Sequence, residues 1–150
     1  MIKKVAHVGF SVSNLDNSIA FYRDILQMVC VGYLEMKGPT TDALFGKSNT
    51  ETRIAYMKKT KESNDPPIEL IEIIHPDITH CPTDLFRTSI SEFCFEVDDM
   101  DEFYKHLIDN HVDVLSAPQF YDFTQFDMGL AKAIYFRDPD GIILEAIEEI

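Results

Sequence analysis

Two stretches of the chain decide its fold, VGFSVSNLDNSIAFY at residues 8–22 and FCFEVDDMDEFYKHL at residues 93–107. Each begins with alternating apolar and polar residues, which is typical of a half-buried strand. Each continues with Asn or Asp and then with apolar residues at three- and four-residue spacing, which predicts a helix. When the two stretches are superposed, Phe10 lies on Phe95 and both patterns coincide. The chain therefore contains an internal repeat, and we expect two units of the same fold.

The remaining sequence completes both units. The last strands correspond, because ELIEI from Glu69 matches EAIEE from Glu145. The turn before the second of these is predicted at residues 138–141, DPDG, where proline and glycine occupy favoured turn positions. Residues 37–49 and an aromatic segment at 120–126 are predicted to be loops. Further strands are predicted at residues 28–36, 52–57, 68–74, 112–115, 131–136 and 142–147.

This order predicts an α+β fold of two βαβββ modules in tandem within a single domain, residues 1–150. Module one is expected at about residues 4–75 and module two at about residues 88–150. One helix cannot cover both faces of a four-stranded sheet, so each module leaves one face free. We expect the curled mixed sheets to surround a shared cavity.

Composition and charge limit the classes of function. The chain is 45% hydrophobic and 26% charged, which is typical of a globular protein. Its 26 acidic residues outnumber 13 basic ones, and the net charge of −13 disfavours binding to nucleic acid or to an anionic membrane. No apolar run is long enough to span a membrane and no signal-peptide pattern is present, so we expect a cytoplasmic protein. The three cysteines lack CxxC spacing and indicate neither a disulfide framework nor a zinc ribbon.

Strand parity places several polar residues on the free faces. In the first strand the apolar residues are expected to pack under the helix, which leaves His7 and Ser11 on the opposite face. Glu69 and Glu145 lie in apolar strands, where a carboxylate needs a hydrogen bond, an ion pair or a metal. By the repeat, the residues that share the free face of the second unit are Glu92, Cys94 and Glu96. Two pairs of equivalent positions thus form a set able to surround one divalent cation: His7, Glu92, Glu69 and Glu145.

Two segments carry a resemblance to a known family, HVGFSVSNLDNSIAFYRDILQM at residues 7–28 and FRDPDGIILEAIE at residues 136–148. The chain resembles the vicinal oxygen chelate superfamily, which includes glyoxalase I, methylmalonyl-CoA epimerase, fosfomycin-resistance proteins, extradiol dioxygenases and bleomycin-resistance proteins. The resemblance covers nearly the whole chain and implies a glyoxalase-like fold. In the metal-dependent members the ligands come from the first and last strands of each module. Carried over to this chain, those positions are His7, Glu69, Glu92 and Glu145.

Two positions depart from the pattern of the family. Glu92 stands where the second module usually supplies a histidine, which argues against an extradiol dioxygenase. The oxygen-rich set favours Mg, Mn or Fe, with Ni, Co and Zn left open. Ser11 stands where glyoxalase I enzymes often carry an arginine that helps to hold glutathione, so we do not expect glutathione as the substrate.

The resemblance implies a metal-dependent lyase or isomerase that acts on a small substrate with adjacent oxygens through an enediolate-type intermediate. It assigns the role of base to Glu145, with Glu69 as its symmetric counterpart. The alternative is a non-catalytic protein that sequesters an antibiotic, with the same residues lining a cavity that holds no metal. The residues expected to line the substrate pocket are Ser11, Cys94, Glu96, Phe123 and Phe126.

Several assignments have a second interpretation. Glu92 is either a ligand or an edge charge paired with Arg87 or a lysine, and Glu96 is either solvated or catalytic. The aromatic segment at residues 120–126 either packs in the core or against a second copy, or covers the substrate. We expect a homodimer with a small-molecule substrate and no nucleic-acid or membrane partner.

Overall fold

A computed structural model describes all 150 residues and divides them into two compact units, Met1–His80 and Cys81–Ile150. Unit 1 contains β1 (Val8–Val12), α1 (Leu15–Ala20), β2 (Val29–Lys37), α2 (Pro39–Phe45), β3 (Glu51–Lys58) and β4 (Ile68–His75). Helix α1 continues into a π-helical turn, Phe21–Ile25. Unit 2 contains β5 (Phe93–Glu96), α3 (Met100–Asp109), β6 (Gln119–Asp122), β7 (Leu130–Arg137) and β8 (Ile143–Glu149). The predicted pair of βαβββ modules is confirmed.

Both sheets have the same topology. The strand order is β1-β4-β3-β2 in unit 1 and β5-β8-β7-β6 in unit 2. The first and last strands of each unit run parallel to each other, and the other neighbours are antiparallel. The last strand of each unit, which carries the conspicuous glutamate, is therefore a central strand flanked by two others.

Each sheet packs its apolar side under its helix. In unit 1 the Phe10 ring lies 6.4 Å from the Tyr22 ring, and in unit 2 the Phe136 ring lies 5.7 Å from the Phe103 ring. Phe10 and Phe136 are both buried, as the alternation predicts for residues that face the helix. We call this side of each sheet the helix-covered face and the other the helix-free face.

Both predicted helix starts are capped by a side chain. Asn14 Oδ1 accepts a hydrogen bond from the Asn17 amide at 2.9 Å, and Asp99 Oδ1 accepts one from the Glu102 amide at 2.8 Å. Such caps satisfy amide groups that have no partner within the helix. They fix where each helix begins after the first strand of its unit.

An ion cluster fastens α1 to the sheet of unit 1. The Arg53 guanidinium on β3 donates to Asp16 on α1 at 2.9 Å and to Glu72 on β4 at 3.0 Å. It also donates from Nε to the Tyr33 hydroxyl, and these contacts raise the pKa of Arg53. The charge of the buried Glu72 is thereby balanced by the guanidinium, which donates one hydrogen bond to it.

A related cluster fastens α3 in unit 2, with lysine in place of arginine. Lys132 on β7 donates to Asp101 on α3 at 2.9 Å and lies 3.8 Å from Glu148 on β8. Glu148 also accepts a hydrogen bond from the Met100 amide at the helix start. The internal repeat therefore extends to the polar contacts that join helix and sheet.

Three predictions about local structure are wrong. The segment at residues 120–126 is not a loop throughout, because Gln119–Asp122 form β6 and Thr124–Phe126 form a 3-10 helix. Residues 37–49 are not all loop, because α2 begins at Pro39, its first residue, and ends before Gly46, whose φ is 67°. Proline is favoured at the first position of a helix, because the amide hydrogen that it lacks would have no partner within the helix. Glycine at the end of the helix adopts the left-handed conformation without strain. The strand predicted at residues 112–115 is reduced to one bridge between Val114 and Phe136, and its place in the sheet is taken by β6. None of the helices is long and apolar enough to cross a membrane.

Candidate functional site

The helix-free face of unit 1 brings three polar side chains together. In the strand register Tyr56 on β3 lies opposite Glu69 on β4, which lies opposite Gly9 on β1. The Tyr56 hydroxyl donates to Glu69 Oε1 at 2.5 Å, and His7 Nε2 lies 3.3 Å from Glu69 Oε2. Glu69 is 8% exposed, whereas the His7 side chain is 46% exposed. A buried carboxylate with two polar contacts thus stands beside an accessible imidazole.

Sequence parity and burial explain this arrangement. His7 precedes β1 directly and Glu69 is the second residue of β4, so the parallel pairing of the two strands brings them side by side. A Cβ atom added at Gly9 would lie 3.5 Å from Glu69 Oε2, an ordinary contact distance. The glutamate therefore lies closely against the backbone of β1.

Unit 2 has an equivalent set of residues across its three neighbouring strands, but the side chains beside the glutamate differ. Tyr135 on β7 lies opposite Glu145 on β8, and Glu145 lies opposite Cys94 on β5. Burial, the Glu145 carboxylate and the charge of Glu92 together raise the pKa of Tyr135 and that of Cys94. Glu92 and Cys94 thus occupy the positions that His7 and Gly9 have in unit 1.

These surroundings keep the tyrosines and the thiol in their neutral forms. The hydrogen bond to Glu69, with burial, raises the pKa of Tyr56 to about 12. Burial is the largest cause for the other two groups. It acts together with the charges of Glu145 and Glu92, and the pKa of Tyr135 and that of Cys94 are each raised to about 12. Each group is therefore a neutral hydrogen-bond donor near neutral pH.

Two of the other predicted pocket residues, Ser11 and Glu96, lie on the helix-free faces. Ser11 lies opposite Ile71 on β4, and Glu96 lies opposite Ile147 on β8. Phe123 stacks on Tyr121 with ring centroids 5.3 Å apart, and Tyr121 lies opposite Ala131 on β7. Phe126 is 63% exposed.

The contact between His7 and Glu69 fits two ligands of one metal ion. Bonds of about 2.0–2.2 Å from zinc or a similar ion place two neighbouring ligand atoms roughly 3 Å apart, and the observed separation is 3.3 Å. No group of three or more His, Cys, Asp or Glu side chains is assembled for a metal. A site formed by His7, Glu69, Glu92 and Glu145 draws on both units, so their convergence stays a prediction.

Sequence comparison identifies the family. The profile of the Glyoxalase/Bleomycin resistance protein/Dioxygenase superfamily matches residues 4–146. The chain belongs to this superfamily. The resemblance inferred from the two end segments is thereby confirmed over nearly the whole chain.

Similar proteins of this superfamily include metallothiol transferases. FosB of Staphylococcus epidermidis is 33% identical over 145 residues, which cover 96% of this chain and 80% of the relative. FosB of Shouchella clausii is 27% identical over 145 residues, 97% of this chain and 80% of the relative. Both are named metallothiol transferases, a name that refers to a metal and to thiol transfer.

Solved structures of the superfamily share the fold. A glyoxalase family protein from Bacillus cereus superposes with a TM-score of 0.83 at 21% identity, covering 100% of this chain and 96% of that one. The trypanothione-dependent glyoxalase I of Leishmania major has a TM-score of 0.67 at 19% identity, covering 99% of this chain and 88% of that one. The predicted glyoxalase-like fold is confirmed.

The sequence analysis missed the two tyrosines. It identified Glu69 and Glu145 but not Tyr56 and Tyr135, which face them across the sheets. A signal was present, because RIAYM in β3 and KAIYF in β7 place a tyrosine three residues after a basic residue. Extending the repeat to these strands would have found the pair.

Proposed function

We propose that this superfamily member is a metal-dependent enzyme that acts on a small molecule with two adjacent oxygens. One divalent cation would be held by His7, Glu69, Glu92 and Glu145. The contact of His7 with Glu69, at a separation suited to two ligands of one ion, supports this proposal most directly. The oxygen-rich donor set suits Mg²⁺, Mn²⁺ or Fe²⁺ better than a thiophilic ion.

The chemistry proposed is proton transfer next to a carbonyl group. A bound divalent cation would supply positive charge that stabilises the negative charge developing on the substrate oxygens. Glu145 is the proposed base, because its neighbours Tyr135 and Cys94 are neutral and leave its charge in place. Glu69 occupies the equivalent place in unit 1 and is the proposed counterpart for the other face of the carbon. This chemistry is that of a lyase or an isomerase.

The substrate is proposed to contact Ser11, Cys94, Glu96 and Phe123. The stack of Phe123 on Tyr121 offers an aromatic surface beside β7, the strand that carries Tyr135. The exposed Phe126 fits either a cover over the substrate or a contact with a second copy in a homodimer.

The relatives favour a second candidate, thiol transfer. The metallothiol transferases are up to 33% identical to this chain and match it over most of their length. Transfer of a thiol to an epoxide would form a carbon–sulfur bond as a carbon–oxygen bond of the ring breaks. The ring oxygen would take up the proton of the thiol, and no carbon-bound proton has to be removed. The fate of that proton distinguishes the two candidates.

The test is NMR in D₂O with Mg²⁺ and hydroxyacetone as the probe. Proton transfer predicts exchange of the protons next to the carbonyl, dependent on enzyme and metal. Thiol transfer predicts no exchange, but consumption of a low-molecular-weight thiol with an epoxide. Metal-independent ligand binding without either reaction would support the sequestering protein instead.

Glutathione is not the expected thiol. Ser11 cannot provide the paired, charge-assisted hydrogen bonds that an arginine gives to a carboxylate. The net charge of −13 also opposes an anionic conjugate. We expect no efficient turnover of the hemithioacetal of methylglyoxal and glutathione, measured by absorbance, and efficient turnover would contradict this assignment.

A further inference from the structure

The glutamates on the two faces of each sheet have different cross-strand partners. On the helix-covered faces each glutamate lies opposite a cation, Glu72 opposite Arg53 and Glu148 opposite Lys132. On the helix-free faces the two equivalent glutamates Glu69 and Glu145 each lie opposite a tyrosine, Tyr56 and Tyr135 respectively. The same contrast occurs in both units, at equivalent positions of the repeat.

The partner decides what the carboxylate is able to do. An arginine or lysine cancels the charge of the carboxylate, so the pair contributes to structure. A phenol is uncharged and, as the hydrogen bond from Tyr56 to Glu69 shows, orients the carboxylate without cancelling its charge. Glu69 and Glu145 thus keep a negative charge that a divalent cation requires.

The contacts in unit 1 also distinguish the two carboxylate oxygens. Glu69 Oε1 accepts the Tyr56 hydroxyl at 2.5 Å, whereas Oε2 lies beside His7 Nε2 at 3.3 Å. The Tyr56 ring is itself beside the imidazole, with centroids 6.1 Å apart. Because Glu69 is almost buried, rotation of its carboxylate would break the hydrogen bond to Tyr56 without water to replace it.

We propose that Tyr56 is a positioning residue, which holds one oxygen of Glu69 and so presents the other oxygen to His7 and to a divalent cation. Tyr135 has the same role for Glu145. The inference rests on the proposed function, because it assumes that these carboxylates bind the metal. Neither tyrosine is required to touch the metal.

The experiment measures Mn²⁺ affinity of the full chain by electron paramagnetic resonance and calorimetry. Tyr56→Phe keeps the ring and removes only the hydroxyl, and Tyr135→Phe does the same in unit 2. We expect Kd for Mn²⁺ to rise about 10- to 100-fold in each variant, the range typical for loss of a group that orients a metal ligand. The matched control is Tyr33→Phe, which removes a tyrosine hydroxyl that donates to Glu35 at 3.0 Å. Tyr33 faces the helix side of the same sheet, so Kd should stay within about twofold.

A double-mutant cycle separates positioning from a general structural role. If Tyr56 acts through Glu69, then Tyr56→Phe has no further effect on Kd in the Glu69→Gln background. Additive effects in that background, or an unchanged Kd in Tyr56→Phe, would overturn the inference while leaving the proposed function intact. Absence of Mn²⁺ binding to the unmodified chain would overturn both. Melting curves of all variants identify any loss of affinity that comes from unfolding.

Discussion

The two units place the same carboxylate in different surroundings. In unit 1 Glu69 lies between Tyr56 and His7, with Gly9 opposite. In unit 2 Glu92 takes the place of His7 and Cys94 that of Gly9, so that Glu145 lies near an acid and a thiol. The same strand register thus has different results in the two units. Glu69 lies beside the imidazole of His7, whereas Glu145 shares its surroundings with a second carboxylate, Glu92. On the proposed function, we expect the two equivalent glutamates to differ in how much each contributes to proton transfer.

The largest difference between the units is expected in catalysis. Glu145→Gln keeps the size and one oxygen of the side chain but removes its ability to accept a proton. We expect exchange of hydroxyacetone protons to fall by about 10²–10⁴-fold, the range typical of general base catalysis, with little change in melting temperature.

Glu69→Gln is the matched variant in unit 1. A similar loss there would mean that both carboxylates transfer protons, as epimerisation requires. Loss in Glu145→Gln alone would support a reaction with one base. Full activity of Glu145→Gln would rule out Glu145 as the base.

Thiol reactivity gives the next largest effect. The pKa of Cys94 is raised to about 12, so its thiolate is scarce near neutral pH and becomes more abundant as the pH rises toward that value. Allowing for the greater nucleophilicity of a more basic thiolate, we expect alkylation of Cys94 by iodoacetamide at pH 8 to be about 30-fold slower than that of an ordinary exposed thiol. Peptide mass spectrometry of the metal-free protein compares Cys94 with Cys30 and Cys81, and all three residues are exposed. Labelling of Cys94 as fast as these two would contradict the account of unit 2.

The ion clusters predict a difference in stability. Arg53→Ala leaves the buried Glu72 without its cation, and we expect it to lower the free energy of unfolding by about 2 kcal/mol. Lys132→Ala should cost less, because Glu148 still accepts the Met100 amide. Urea denaturation measures both, with the exposed Arg23→Ala as a control that should be close to neutral. If Lys132→Ala lowered the free energy of unfolding as much as Arg53→Ala or more, the Met100 amide would not compensate Glu148 for the lost cation.

The smallest effect is expected at Gly9. An added Cβ would meet Ile71 at 3.4 Å and Glu69 at 3.5 Å, which are ordinary contacts. Gly9→Ala should therefore change the melting temperature by no more than about 2 °C and Kd for Mn²⁺ by less than about threefold. A larger loss of affinity would show that the Glu69 carboxylate needs more room than the structure gives it.

Most of the fold was predictable because the spacing of apolar residues shows the repeat directly in the sequence. The alternation around Phe10 and the spacing after Asn14 gave the first strand and its helix. Strand β6 was missed because all four of its residues are exposed, so burial left no pattern in its sequence. Helix α2 was missed for a related reason, since Thr41 is its one buried residue and no apolar stripe results.

The candidate site was predictable in part. Parity and the cost of a buried charge identified Glu69 as a residue that needs a partner. They did not identify Tyr56 as the partner. Its position opposite Glu69 follows from the strand register, which depends on pairing between segments that are distant in sequence. The placement of His7 and Glu69 side by side follows from the parallel pairing of β1 with β4.

The most direct test of the central claim is a crystal soaked in Mn²⁺ and measured for anomalous scattering. We expect one peak per chain, with His7, Glu69, Glu92 and Glu145 each contributing an atom within about 2.0–2.6 Å of it. Removal of the ion with a chelator should abolish the peak without unfolding the protein. Absence of a peak, or a peak from which Glu92 and Glu145 point away, would contradict a metal centre shared by these four residues.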